Sequence, residues 1–249
     1  MRIGLCLVGG GAKGSYEAGV IRALHDKGIK FDAVSGTSIG AINGYFIYTG
    51  NVEKLTQMWI NIRNIQQEEV KIVNNAVDND IIIEELTKLT NNTNRDMDFF
   101  VNFVEIKNKN IKEKIVNVGE LEKEEALSCI KYSSLLPFNP QGKLDMKNQF
   151  IYDLQQGLYD GYNLDGGLMN NELINPLIEK NVDKIIFVTM KHDYILSDEI
   201  KKLYNEENII IIRPNTIFGK NDTLRFEPEF CKELYYEGYD IGKNLELNI

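Results

Sequence analysis

The 249-residue chain has little proline, cysteine or histidine: five, three and two residues. Cys6, Cys129 and Cys231 are odd in number and far apart, with no C-x-x-C spacing. That argues against a disulfide framework and against a cysteine-based metal site. Buried free thiols in a reducing compartment are expected, and the cytoplasm is the expected location. Secretion without a cleaved signal would leave no mark on the sequence. Positive charge is also short. The 28 Lys and Arg face 37 Asp and Glu, for a net charge of −9. Nucleic-acid binding needs a basic surface, so it is not expected. Attraction of the whole surface to anionic lipid is disfavoured too, although a local patch is not. No stretch approaches the ~18 consecutive apolar residues of a membrane-spanning helix. The apolar residues 3–8 follow Arg2 and stop at glycines. They fall short of the ~7–15 residues of a signal-peptide core and read as a buried strand. There is no fixed-period repeat and no linker rich in Pro, Gly or Ser.

What remains is the composition of an ordinary globular protein, 43% apolar and 26% charged, long enough for a single α/β domain over residues 1–249. Residues 2–8 read as a strand. Tyr16, Val20, Ile21 and Leu24 recur at helical spacing over residues 15–27, and Gly28 caps that helix. Residues 31–35 form a second strand, and residues 39–49 and 52–63 two more helices. Strand–helix–strand–helix order predicts parallel strands with right-handed crossovers. Residues 184–189 and 209–213 are β-branched like central parallel strands, with a helix at 197–204 between them. A last helix runs over 228–247. Residues 64–125 are rich in Asn, Lys and Glu, with a helix at 81–89 and a hairpin of 99–106 with 114–118. This stretch reads as an insertion lying over the sheet.

The first strand runs into Gly9-Gly10-Gly11-Ala12-Lys13-Gly14. The string fits G-x-G-x-x-G and allows a dinucleotide-binding oxidoreductase, but that site also wants an acidic residue at the end of the second strand. Asp32 lies at the start of that strand instead. The Walker pattern fails because Lys13 precedes Gly14. Physically, the loop offers unobstructed backbone N–H groups at a helix start, which suit a phosphate or an oxyanion. The second strand ends in Gly36-Thr37-Ser38-Ile39-Gly40, followed by a helix. A strand–turn–helix with G-x-S-x-G strains the serine and exposes its hydroxyl at the carboxyl edge of the sheet. The N–H of Ile39, next in sequence, suits an oxyanion. Both turns follow parallel strands and so share one edge.

Ser38 needs a proton acceptor. His25 sits at the wrong end of the first helix, where it suits the helix dipole. His192 follows a strand and remains a candidate base. Asp165-Gly166-Gly167, followed by Asn170-Asn171, is an Asp-Gly turn or a carboxylate held close to another backbone.

Together the glycine loop, the serine turn and Asp-Gly-Gly, in this order, resemble the patatin-like phospholipase family. Residues 18–24, Ser133-Ser134 with Pro137-Phe138 and Pro140, and Gly238-Tyr239 are similar to that family as well. The resemblance implies an α/β three-layer sandwich with a mainly parallel central sheet flanked by helices. It implies Ser38 as nucleophile and Asp165 as base, with no histidine. Gly9, Gly10 and Gly11 would line an oxyanion hole, and Lys13, Gly14, Gly36, Gly40, Gly166 and Gly167 would support the motifs. Val8 stands where plant members often carry an acid, and Lys13 where Arg is common; lysine lacks the planar fork.

The implied activity is lipid acyl hydrolysis, phospholipase- or lysophospholipase-like, through an acyl-enzyme, with no metal and no cofactor. A catalytically idle lipid-binding or interaction protein on the same fold is the alternative. A phospholipid or another acyl-ester lipid is the expected substrate, met in a transient membrane-surface contact. Leu135, Leu136, Pro137 and Phe138, together with Phe99 and Phe100, read as core or as the wall of an acyl groove. The lysine-rich residues 107–114 read as a solvated hairpin tip or as a contact for anionic headgroups.

Overall fold

The computed structural model describes residues 1–62, 71–90 and 97–246. The chain opens with strand β1 (Ile3–Leu7), a one-turn 3-10 helix and helix α1 (Gly14–Asp26). Strand β2 (Ala33–Thr37) and helices α2 (Ile39–Tyr48) and α3 (Val52–Ile60) follow. A small hairpin, β3 (Ile72–Val73) with β4 (Ala76–Val77), leads to α4 (Asp80–Thr87). Then come β5 (Asp98–Lys107), β6 (Asn110–Asn117), α5 (Lys123–Ser133), α6 (Met146–Gln155) and β7 (Asn163–Asp165). The chain closes with α7 (Asn175–Glu179), β8 (Lys184–Val188), α8 (Asp198–Leu203), β9 (Ile209–Ile212) and α9 (Pro228–Asn244).

The central sheet runs β6-β5-β2-β1-β8-β9, with β7 also paired to β5. The pairs β1–β2, β1–β8, β2–β5 and β8–β9 are parallel, while β5–β6 and β5–β7 are antiparallel. Both faces of β1 are buried, as a parallel strand between two helical layers requires. Gly4 packs against Leu177 of α7 on one face, and Leu7 against Gly40 of α2 on the other. The mainly parallel sheet flanked by helices is the fold class that the motifs imply.

Helix α1 buries the four apolar residues spaced for it, Tyr16, Val20, Ile21 and Leu24. Its end is marked by Gly28 in the left-handed region, φ 74°. It lies unusually close to α9, because Gly19 faces the Tyr235 carbonyl and Gly238 faces the Tyr16 carbonyl. A Cβ on either glycine would come within 2.0 Å of that oxygen.

Two sequence expectations change. The second strand starts at Ala33 rather than at residue 31, because the Asp32 carboxylate turns back to accept the Ile3 N–H at 2.7 Å. The hairpin expected at 99–118 forms, but β5 is a sheet strand, paired in parallel register with β2 from Ala33↔Asp98 to Thr37↔Asn102. An insertion lying over the sheet is therefore incorrect for this part; residues 64–70 and 91–96 of that stretch lie outside the described residues. Phe99 is fully buried and stacks on Tyr48, and Phe100 is buried too, so both are core. Arg63 and Leu247, the last residues of two expected helices, also fall outside the described residues.

Strand β5 is longer than its neighbour. It passes the end of β2 at Asn102 and continues to Lys107. Strand β7 occupies the vacated side, with Phe103↔Asp165, Val104↔Leu164 and Glu105↔Asn163. So β2 running one way and β7 running the other end head to head along β5, at Thr37↔Asn102 and Asp165↔Phe103.

Candidate active site

That junction brings Ser38 and Asp165 together across 127 residues of sequence. Ser38 caps the start of α2 with φ 56° and ψ −123°. This is strained backbone for a residue with a side chain, and the surrounding structure must hold it. Its N–H donates to the Ser133 hydroxyl at 2.9 Å. The flanking glycines allow the tight turn. A Cβ on Gly36 would sit 2.4 Å from the Gly40 carbonyl oxygen, and one on Gly40 would sit 2.7 Å from that of Leu7. The G-x-S-x-G string is thus a steric requirement for α2 crossing back over β2 and β1.

The Ser38 hydroxyl donates to Asp165 Oδ2 at 2.5 Å. Oδ1 of the same carboxylate accepts the Gly167 N–H at 2.8 Å, and the Asp165 N–H donates to Leu135 O at 3.0 Å. Asp165 is 4% exposed. Burial outweighs its two hydrogen bonds and pushes the carboxyl up to about 6. Beneath the pair, the fully buried Asn102 accepts from the Thr37 hydroxyl and donates to Asn170 O, each at 2.8 Å. One side chain thereby ties the end of β2 to the turn after β7.

The glycine loop lies against the serine: a Cβ on Gly9 would meet Ser38 Cβ at 2.9 Å. Gly9 itself is clamped by Asn171, whose Oδ1 accepts the Gly9 N–H at 2.8 Å and whose Nδ2 donates to the Gly9 carbonyl at 3.2 Å. The expected oxyanion role of the Gly9 amide is corrected on this point, since that N–H is already spent. Gly10 has φ 174° and ψ 8°, and Gly11 is left-handed, φ 57°. Ile39 opens α2, where a helix leaves its first N–H groups without intrahelical partners. Behind the loop, the Val8 N–H donates to the fully buried Glu17 at 2.7 Å. Glu17 also accepts from Asn43, which accepts from the Trp59 indole. Burial pushes the Glu17 carboxyl up to about 8.

The ammonium of Lys13 lies 5.6 Å from the centre of the Phe218 ring, and burial holds it below its usual range. Lys13 makes no ion pair among the described residues. Gly14 packs against Ile39, and Gly167 against Asn171. Gly166 sits against Asn102. Neither histidine hydrogen-bonds to the pair among the described residues. His25 is exposed beside Asp26, and His192 Nδ1 lies 3.1 Å from Pro214 O. Cys6 and Cys231 are buried free thiols pushed up to about 12 by burial. Sequence reasoning missed Asn171, Asn102 and Ser133 as parts of the site. Asn171 stood next to the Asp-Gly-Gly string, which was its one signal.

A serine hydroxyl on a buried carboxylate at the carboxyl edge of a mainly parallel sheet defines an α/β protein with a Ser–Asp pair. The match of a patatin-like phospholipase family model to residues 5–178 then assigns the chain to that family. It is 59% identical over 44 residues to lysophospholipase NTE1 of Mycosarcoma maydis, a stretch of 18% of this chain and 2% of that protein. It is 48% identical over 63 residues to the patatin-like phospholipase domain-containing protein ZK370.4 of Caenorhabditis elegans. That match covers 24% of this chain and 5% of the relative. Among solved structures, the type III effector protein ExoU of Pseudomonas aeruginosa shares the fold, with a TM-score of 0.52 at 15% identity. The likeness covers 97% of this chain and 52% of that one.

Proposed function

We propose that the protein is a serine acyl hydrolase of ester lipids, with Ser38 as nucleophile and Asp165 as general base. The observation that carries this reading is the 2.5 Å hydrogen bond from the Ser38 hydroxyl to Asp165 Oδ2. Ser38 Oγ attacks the acyl carbonyl while its proton passes to Asp165. A carboxylate with an ordinary pKa near ~3.9 is a weak base for an alcohol. Burial of Asp165 strengthens it and also dries the site, where fixed dipoles act most strongly. The N–H groups of Gly10, Gly11 and Ile39 receive the oxyanion. Removing one such donor typically costs ~3–4 kcal/mol of transition-state stabilisation. As the intermediate collapses, Asp165 returns its proton to the departing alcohol or lysolipid. Water then attacks the acyl-enzyme, giving a proton to Asp165, which passes it to Ser38 Oγ as the C–Oγ bond breaks and the fatty acid leaves.

Family membership, together with relatives named as lysophospholipases, supports a lipid as the acyl donor. The Rossmann alternative has no support in the position of Asp32, which is engaged with Ile3 at the opposite end of β2. Mass spectrometry of a mixed lipid extract treated with the protein tests the proposal. The wild type releases fatty acids and the matching lysolipids or alcohols, and Ser38→Ala does not. Equal release by both, or none by a folded wild type, overturns it.

A further inference from the structure

We propose that Glu17 and Asn43 are positioning residues for the oxyanion: one buried hydrogen-bond network through their side chains fixes both ends of the glycine loop to the helix that Ser38 caps. The inference rests on the acyl hydrolase reading, in which the Gly10 and Gly11 amides receive the oxyanion. It assigns a role to two side chains that the reaction itself does not touch.

Three glycines in a row give residues 9–11 wide conformational freedom. Donors that act on a transition state must instead be held within about 0.5 Å of their working positions. Asn171 clamps Gly9, and a different network holds the two ends of the loop. At the entry, the Val8 N–H donates to Glu17 Oε1 at 2.7 Å. At the exit, the Gly14 carbonyl accepts from Asn43 Nδ2 at 2.9 Å. The same Nδ2 donates to Glu17 Oε2 at 3.1 Å, which joins entry and exit. Asn43 lies on α2, five residues after Ser38. At ~1.5 Å per residue that is about 7.5 Å along the helix. The exit also lies against the residue after the nucleophile, since a Cβ on Gly14 would sit 2.4 Å from Ile39 Cγ1.

The side-chain chemistry suits this one arrangement. An indole N–H only donates, so Trp59 Nε1, 3.0 Å from Asn43 Oδ1, decides which end of the Asn43 amide faces which partner. Nδ2 is thereby turned to Gly14 and Glu17. Two donors, the Val8 N–H and Asn43 Nδ2, converge on position 17, and a carboxyl group offers an oxygen to each. A glutamine there would present one oxygen and one NH2 group to the same two donors. Val8, Glu17, Asn43 and Trp59 are all buried, and Glu17 makes no ion pair among the described residues. A carboxyl buried without a cation costs stability, so the filling of space does not account for Glu17. Its two acceptor oxygens do, because they pin the peptide that enters the loop and orient the amide that holds the exit. The network therefore sets where the loop amides stand relative to Ser38.

Steady-state turnover of a soluble short-chain ester, measured well below each variant's melting temperature, tests the inference. In Glu17→Gln one of the two donors meets an NH2 group, and kcat should fall on the order of tenfold to a hundredfold while KM stays within about twofold of wild type. Asn43→Asp sets two carboxyl groups against each other and should lose at least as much. In Glu17→Gln/Asn43→Asp the new amide donates to the new carboxylate and its oxygen accepts the Val8 N–H. The double variant should therefore recover kcat severalfold over Glu17→Gln, in part only, because the Gly14 carbonyl goes without its donor. Trp59→Phe removes the N–H that orients Asn43 and should lower kcat severalfold with KM unchanged. A folded Glu17→Gln that melts at a lower temperature but keeps its kcat overturns the inference, since Glu17 is then a structural brace alone. So does a double variant slower than both single ones. Where Glu17→Gln does not fold, an unchanged kcat in Trp59→Phe decides against it. In each of these cases wild-type turnover that is lost in Ser38→Ala leaves the hydrolase reading standing. A folded wild type with no Ser38-dependent turnover overturns that reading, and this inference with it.

Discussion

Replacing Asp165 by Asn should abolish hydrolysis and, at neutral pH and above, make the protein more stable. The buried carboxyl is pushed up from 3.8 to about 6. That difference of about two pH units corresponds to about 3 kcal/mol at ~1.36 kcal/mol per unit. Below 3.8 the group is protonated in the folded and unfolded chains alike, and it costs nothing. Between 3.8 and about 6 the unfolded chain gives up the proton and the folded one keeps it. The stability linked to this group is therefore lost as pH rises through about 6 and stays lost above it. Asn does not titrate, and its carbonyl can still accept the Gly167 N–H. Urea unfolding of wild type beside Asp165→Asn should give a difference in the variant's favour that grows by up to about 3 kcal/mol from about pH 4 to about pH 8. Taking the difference cancels other titrating groups distant from the site. In parallel, wild-type turnover of a soluble ester should rise through about pH 6 as the base ionises, then level off. A stability difference that does not vary with pH, or a wild-type rate already flat below pH 6, would mean that Asp165 is not a buried base of raised pKa.

Asn171→Ala removes both contacts to Gly9 and leaves that peptide's N–H unpaired, a cost of about 1–3 kcal/mol. The turnover number on a soluble ester should fall, and Asn171→Asp, which keeps the acceptor, should recover part of it. Gly238→Ala drives a methyl group into the Tyr16 carbonyl at 2.0 Å and should destabilise the α1–α9 contact by about 1–3 kcal/mol, read as a lowered melting temperature. Glu17, pushed up to about 8 by burial, adds a loss of stability as pH rises from the ordinary carboxylate range through about 8. The decline in urea midpoint across that range should be shallower in Glu17→Gln, which has no proton to lose.

Much of the candidate site was legible because its signals are local. Three consecutive glycines after an apolar strand, and a serine between two glycines, are short-range backbone requirements, and the glycine contacts at Gly36 and Gly40 supply the physical reason for the second. Helix α1 announced itself through four apolar residues and a glycine stop. Strand β7 was illegible: three residues carry no periodicity, and its existence depends on β5 outrunning β2. The position of Asp165 therefore came from the likeness of the Asp-Gly-Gly string to a family pattern rather than from any reading of secondary structure. Charge misled the account of β5 and β6. Their tip is rich in Lys and Asn, which suggested a stretch outside the sheet, whereas residues 98–102 lie within it. The clamp of Asn171 on Gly9 depends on two backbones meeting 162 residues apart, which spacing alone does not reveal.

Covalent labelling reports whether Ser38 is an activated nucleophile. The folded wild type should take up one fluorophosphonate group, located by tandem mass spectrometry on the peptide that contains Ser38, with Asp165→Asn labelled far more slowly. A folded, accessible wild type that stays unmodified, or Ser38→Ala labelled as fast as wild type, would rule out Ser38 as the nucleophile.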